Sequence, residues 1–321
     1  MEHAQFLKEA AKHQTEFRKS ISENYKEFPN YPEVQYWLTD EDGKNGKIYY
    51  DGFDIIESVR ERYPNFHDQR DSNMLRSEHI PFNLFIPFRK DLDFCKKVFN
   101  EILGNCIKRI DSQSIVDNKK NIKIEYAPSP KEKYLNDRTS FDAYIEYTHT
   151  DNSKGIIGIE VKYTEKEYPL VKFQKNKETN EKELTKAWID VENFKKQNNN
   201  SIYYNVTKAC KLYKPEHFLH LVENKYRQIW SNHLLAESIL IEDEDKFKHA
   251  HSLIFYPKAN EHFTEAGKEY SEMLIDNKDN KFVLVTYEDF IAKCRKHCVN
   301  SEFKNEFEQW INYLQNRYLW K

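Results

Sequence analysis

Glycine and proline are scarce in this chain, at 7 and 10 of 321 residues. So little glycine excludes collagen-like and linker-rich architectures. Neither GxGxxG nor GxxxxGK[ST] occurs, which removes the two common glycine-built phosphate cradles and the dinucleotide-binding and P-loop classes with them. Long apolar runs are missing too. The two longest, Ile80–Phe88 and Ile229–Ile241, fall short of the ~20 residues a membrane helix needs, and Glu237 interrupts the second. The opening MEHAQFLKEAAKHQ is charged throughout and has no apolar signal core, so the expectation is a cytoplasmic chain with no membrane span. The five cysteines (95, 106, 210, 294, 298) are odd in number and dispersed, which suits reduced thiols better than a disulfide framework. Cys294 and Cys298 with His297 between them lack the second ligand block of a zinc site and read as one helix face. Net charge is −3, from 50 Lys and Arg against 53 Asp and Glu. A strongly basic protein is excluded, but a local basic groove would still serve phosphate.

What is present is apolar and aromatic matter: 39% hydrophobic residues, with 21 Tyr, 21 Phe and 5 Trp, enough for a sizeable folded core despite 32% charge. At ~150 residues per domain the length suggests about two structural units. Residues 2–28 carry helical apolar spacing. The segments YPEVQYWLTD and KIYYDGF around DGKNG read as two strands and a hairpin-like turn, followed by a helix at 54–62. Helices are expected at 77–85 and 91–103. From Lys119 the period changes to two, in NIKIEYAP, SFDAYIEYTHT and IIGIEVKYTE, which predicts a small antiparallel sheet. The Lys- and Asn-rich stretch 172–200 reads as an exposed insertion, and a long helix is expected after Pro215. The remainder reads as a strand at 251–257, a helix at 261–275, a strand at 281–287, and helices at 288–298 and 301–319. The resulting division is an N-terminal helical and hairpin extension (1–70), a core (71–299) and a C-terminal helix packed on it (300–321).

The chemistry concentrates between Ser140 and Glu165. Alternation along a strand puts Glu160 and Lys162 on one face and Ile159, Val161 and Tyr163 on the other. If the DNSKG turn centres on residue 151, Asp142 lies opposite Glu160 and Tyr144 opposite Gly158. Two facing carboxylates repel and call for a cation. Oxygen ligands of this kind suit Mg²⁺, or Mn²⁺ as a substitute, with the Val161 carbonyl as a further ligand. Lys162 beside them would position or deprotonate a water and neutralise charge on a phosphorane-like transition state, which is the chemistry of phosphodiester hydrolysis. Glu-x-Lys alone carries little weight, since it recurs at Glu223, Glu244 and Glu302 in helical or polar contexts. The competing reading is a solvated sheet face with an exposed Glu160–Lys162 pair. Against it stand the apolar runs on both sides and an opening left by Gly158 on the same face.

Asp142 followed after a hairpin by Glu160-Val161-Lys162 resembles the PD-(D/E)XK phosphodiesterase superfamily. The blocks SEHIPFNLF (77–85), YRQIWSNHLLAE (226–237) and FVLVTYEDF (282–290) are similar to a bacterial restriction-endonuclease branch, over about residues 70–295. The resemblance implies a restriction-endonuclease-like α/β fold, a mixed sheet flanked by helices, with an α-rich N-terminal section. It further implies Mg²⁺-dependent cleavage of DNA, a restriction or defence role and operon partners in a defence system. The proline expected before the aspartate is absent, Ser140-Phe141 standing there instead, which bears on the local turn and not on the ligand. Duplex cutting by one site needs two chains or two visits, which favours a homodimer. The alternatives are a nuclease acting on RNA or branched repair intermediates, and a non-catalytic DNA- or partner-binding module on the same scaffold.

Further candidates surround this set. A third carboxylate is expected from Glu78, with Glu125 as second choice; the other reading of Glu78 is a helix-start residue beside an N-capping Ser77. Asn83 reads as a residue that holds loop backbone. Gln228, Asn232 and His233 fall at i, i+4 and i+5 of the long helix, so the first two share a face and could reach a scissile phosphate, or else satisfy one another in the core. His217 and His220 form a helical pair with a weak claim to a metal. Lys172, Lys175 and Lys177, with Phe173 and Trp188 interleaved, are suited to a DNA backbone, with a solvated loop as the other reading.

Overall fold

The computed structural model describes residues 2–320 apart from 24, 29, 168 and 177–179. The first half holds helices α1 (His3–Ile21), α2 (Asp40–Lys44), α3 (Ile55–Arg62), α4 (Asp68–Asp71), α5 (Ile80–Phe85) and α6 (Leu92–Leu103), then strands β1 (Ile107–Ile110), β2 (Lys123–Tyr126), β3 (Phe141–His149) and β4 (Lys154–Val161). A small hairpin, β5 (Phe173–Lys175) and β6 (Lys182–Leu184), precedes α7 (Lys186–Lys195), α8 (Ile202–Cys210), α9 (Phe218–Leu221) and α10 (Asn224–Glu242). The chain ends with β7 (His249–Tyr256), α11 (Glu261–Glu272), β8 (Phe282–Thr286), α12 (Tyr287–Cys298) and α13 (Lys304–Tyr318). Among the described residues no helix is long and apolar enough to cross a membrane.

The main sheet runs β1-β3-β4-β7-β8, with β2 also pairing with β3. Pairing is antiparallel from β1 and β2 to β4 and parallel from β4 through β7 to β8, so the sheet is mixed. Period-two alternation explains why it is covered on both sides. Ala143, Ile145, Ile157, Ile159, Val161, Leu253 and Phe255 enter one core with α5, α6, α12 and α13. Tyr144, Ile156, Ile254 and Tyr256 enter a second core, shared with α8, α10 and α11. Each large side chain removed from water in these layers stabilises by about 1.5–3 kcal/mol. Capping fixes several helix ends: Asp91 accepts the Phe94 N–H at the start of α6, and Gly104 closes that helix at φ 79°.

Several expectations are corrected. No hairpin forms around DGKNG. Thr39 caps α2 by accepting the Asp42 N–H, and Asp40, Glu41 and Asp42 favour the helix N-terminus; the turn-like Gly43 lies inside that helix against Ser72 and Phe66. The first helix ends at Ile21 and not at 28. Within the polar stretch 172–200 the strands β5 and β6 are largely exposed as expected, but the segment is not all loop: α7 anchors Val191 and Phe194 in the interior. The run after Pro215 is broken, so that α10 begins only at Asn224. The helix expected from 77 starts at Ile80, and Ser77 instead donates to Glu165. The space over Gly158 is filled by the Phe141 ring, which lies 2.3 Å from where a Cβ would stand.

Candidate active site

Strand register builds the site. Ala143 pairs with Ile159 and Tyr144 with Gly158, so extending the ladder one step puts Asp142 opposite Glu160, as the turn position predicts. On the other side of β3, Ile124 pairs with Ala143 and Tyr126 with Phe141, which places Glu125 opposite Asp142. Three carboxylates therefore lie in a row across β2, β3 and β4. Glu125 adopts a left-handed φ of 54°, an uncommon conformation for a non-glycine residue.

Glu160 is buried and its carboxylate is fully engaged. Oε1 accepts from Gln228 Nε2 at 2.7 Å and pairs with the Lys162 ammonium, while Oε2 accepts from Asn232 Nδ2 at 2.8 Å. Gln228 and Asn232 are one helical turn apart on α10, which explains how one helix reaches both oxygens. Asp142 accepts the Val161 N–H at 2.6 Å through Oδ2. A strand residue's N–H and C=O lie along the same edge, so the Val161 carbonyl is directed to the Asp142 side as well. Lys162 is positioned by its backbone, whose N–H donates to Phe255 and whose C=O accepts from the Tyr287 hydroxyl at 2.6 Å.

The electrostatics record a deficit of positive charge. Burial, then Glu160 and Glu125, push Asp142 well above the ordinary carboxylate range. Burial and then Glu160 raise Glu125 to about 7. For Lys162, burial opposes the charged form, but Glu160 and Asp142 outweigh it and hold the group protonated above the usual lysine value. A divalent cation would relieve the repulsion between the acids, and an all-oxygen donor set suits a hard ion. Asn232 adds a buried Oδ1 with no hydrogen-bond partner. The residues present thus fit a metal, with Asp142, Glu160 and the Val161 carbonyl as its holders.

A cavity of about 750 Å³ opens over Asp142 and Glu160. Its walls include Lys131, Arg138, Lys186 and Arg227, together with Pro169, Leu170 and Val171 leading into β5 and with Gln174 on β5. Nearby on the hairpin arm, the Lys172 ammonium lies over the Phe173 and Trp188 rings at 5.3 and 5.0 Å, and Lys175 pairs in register with Lys182. Lys177 falls outside the described residues.

Comparison with known protein families matches residues 3–320 to the PD-(D/E)XK nuclease superfamily. The chain belongs to that superfamily. Neither the curated proteins nor the solved structures contain a significant match. The superfamily match takes in the segments before 70 and after 299, beyond the span over which the sequence blocks carry a resemblance. A PD-(D/E)XK chain is thereby assigned to a family of nucleases whose fold, a mixed sheet flanked by helices, is the one seen.

Other sequence candidates of this nuclease-family chain are placed as follows. Glu78 lies before α5 and pairs with Arg76 at 2.7 Å, close enough to contribute to the raised Glu125 but not in the strand row. His233 is removed from any surface role: it is buried, its Nδ1 meets the Tyr270 hydroxyl at 3.0 Å, and burial lowers it to about 3. It turns away because i+5 lies on a different side of α10 from i and i+4. Asn83 holds backbone, accepting the Tyr50 N–H and donating to the Ile48 carbonyl. His220 pairs with Glu223 at an exposed position. Cys294 and Cys298 are buried thiols, and His297 pairs with Glu101. Among the described residues, one group of three His, Cys, Asp or Glu side chains has ligand atoms all within 4.8 Å, and it lies elsewhere: His149, Asp151 and His249.

Proposed function

We propose that the protein is a Mg²⁺-dependent endonuclease that hydrolyses DNA phosphodiester bonds, of restriction or defence type, with Mn²⁺ as a substitute ion. The observation that carries this reading is the row Glu125, Asp142, Glu160 on adjacent strands, with protonated Lys162 paired to Glu160 and with Asp142 and Glu160 lining an open cleft. Asp142, Glu160 and the Val161 carbonyl hold the ion, and Glu125 is the better placed of the two further acids. When bound, a divalent cation supplies charge neutralisation and Lewis acidity toward a phosphate oxygen.

The chain's own groups do the rest. Lys162, held protonated above the usual lysine value, stabilises the negative charge that grows on the phosphate and orients the attacking water, and as an ammonium it has no lone pair to take a proton. Gln228 and Asn232 are positioning residues that fix the Glu160 carboxylate. Lys131, Arg138 and Lys186 at the cleft walls, with Lys172 and Lys175 on the hairpin arm, supply the cationic track for a nucleic-acid backbone. In-line attack leaves 5′-phosphate and 3′-hydroxyl ends, and duplex cutting favours a homodimer.

The test is incubation of purified protein with supercoiled plasmid in Mg²⁺, Mn²⁺ or EDTA, beside Glu160→Ala and Lys162→Ala, with single-stranded and RNA substrates in parallel. Metal-dependent nicking or linearisation that both substitutions abolish supports the reading. Cleavage that survives both overturns the site, and turnover of RNA alone overturns the substrate.

A further inference from the structure

We propose a second divalent-ion site at the opposite end of β4, formed by His149, Asp151 and His249, that takes a borderline transition ion of the zinc type. The three ligands come from separate segments: the last residue of β3, the β3–β4 turn and the first residue of β7. Asp151 bridges the two imidazoles, with Oδ1 at 3.0 Å from His149 Nδ1 and Oδ2 at 2.9 Å from His249 Nε2. The rings stack with centroids 3.8 Å apart and planes 21° from parallel. Their side chains are 19% and 27% exposed, so an ion reaches them from solvent.

The Asp151 N–H donates to His149 Nδ1 at 3.2 Å, so that nitrogen turns its lone pair toward the Asp151 segment, and the Asp151 carboxylate oxygen stands 3.0 Å from it. An imidazole lone pair and a carboxylate oxygen converging on one point is the arrangement a cation accepts. The carboxylate is also oriented from behind, since Oδ1 accepts the N–H and the hydroxyl of Ser153 at 2.8 and 2.6 Å.

Donor type separates this site from the acidic row. Two nitrogens and one carboxylate, with water completing the shell, select Zn²⁺, Co²⁺, Ni²⁺ or Cu²⁺ over Mg²⁺, which prefers six oxygens. Because Gly155 pairs with His249, the ion would pin the turn to the start of the parallel half of the sheet.

The experiment uses the full chain stripped with chelator and carrying Glu160→Gln together with Lys162→Met, so that the acidic row does not compete and no half of the buried pair is left alone. Calorimetric titration with Zn²⁺ is expected to show one ion per chain, unaffected by millimolar Mg²⁺, with affinity falling at least about tenfold in His249→Ala and in His149→Ala. Unchanged Zn²⁺ affinity in both histidine variants overturns the site, as does displacement by Mg²⁺. Should a histidine variant misfold, Cu²⁺ electron paramagnetic resonance on the stripped chain carrying Glu160→Gln with Lys162→Met decides: nitrogen hyperfine structure from two imidazoles is expected, and an all-oxygen spectrum refutes the site. Plasmid cleavage by wild type in Mg²⁺ is a separate readout, so failure of one proposal leaves the other standing.

Discussion

Glu160 spends both carboxylate oxygens on protein donors, and Lys162 is its cationic partner. Removing one member of such a buried pair leaves an uncompensated charge, so Lys162→Met should destabilise the metal-free protein by about 3–5 kcal/mol. The double variant Glu160→Gln with Lys162→Met should recover most of that loss, because the two opposite charges of the pair are removed together; urea unfolding of the four proteins of the cycle measures it. Glu125 yields a pH prediction. Its folded value of about 7 stands above the ordinary 4.5, so the folded chain keeps a proton that the unfolded chain has released. The stability this contributes is fully present below pH 4.5 and is lost as pH rises through about 7. Metal-free protein should therefore unfold at lower urea at pH 8 than at pH 5, and Glu125→Gln should reduce the difference. At this scale the sequence is a good guide wherever a short turn fixes pairing. The β3–β4 turn aligns Asp142 with Glu160 directly, whereas residues 127–140 separate β2 from β3, too many to set a register, which is why Glu125 ranks behind Glu78 on sequence alone.

Elements place these residues by close approach. With no Cβ at Gly158, the Phe141 ring packs closely against β4, one residue before Asp142 on β3. Gly158→Ala should cost about 1–3 kcal/mol by overpacking and should lower nuclease activity by shifting Asp142; Phe141→Leu added to it should restore part of both, read by urea midpoints and plasmid cleavage. Helix α10 shows what periodicity does and does not reveal. It is buried on nearly all sides, between the sheet and α8 and α11, so its polar residues give no stripe to read. The i, i+4 spacing of Gln228 and Asn232 places them on a common face, but only the packing shows that this face looks at Glu160 and that His233 looks at Tyr270. The hairpin expected at DGKNG fails for a local reason, since a capping threonine followed by three acids outweighs a glycine turn signal.

At the scale of the molecule, the ends of the chain are not appendages. Phe307, Trp310, Ile311, Leu314 and Tyr318 of α13 share one apolar layer with Leu38, Ile48, Val59 and the α5–α6 region. Trp310→Ala should cost about 3–5 kcal/mol, and deletion of 300–321 should yield aggregated protein rather than an active core, as judged by size-exclusion chromatography and thermal melting. Alternating runs and helix stripes make the layered α/β class legible in sequence, whereas the mixed sheet is expected from the family resemblance alone, because joining β4 to β7 pairs Gly155 with His249 across a distance no local pattern encodes. That same long-range pairing brings His249 beside His149.

Among the described residues, strands β5 and β6 form a sheet of their own, bonded to each other and to no strand of the main sheet. Replacing or reshaping that ribbon would break no rung beneath the acids, so under the function proposed above the polymer preference could drift in evolution while the acidic row stays as it is.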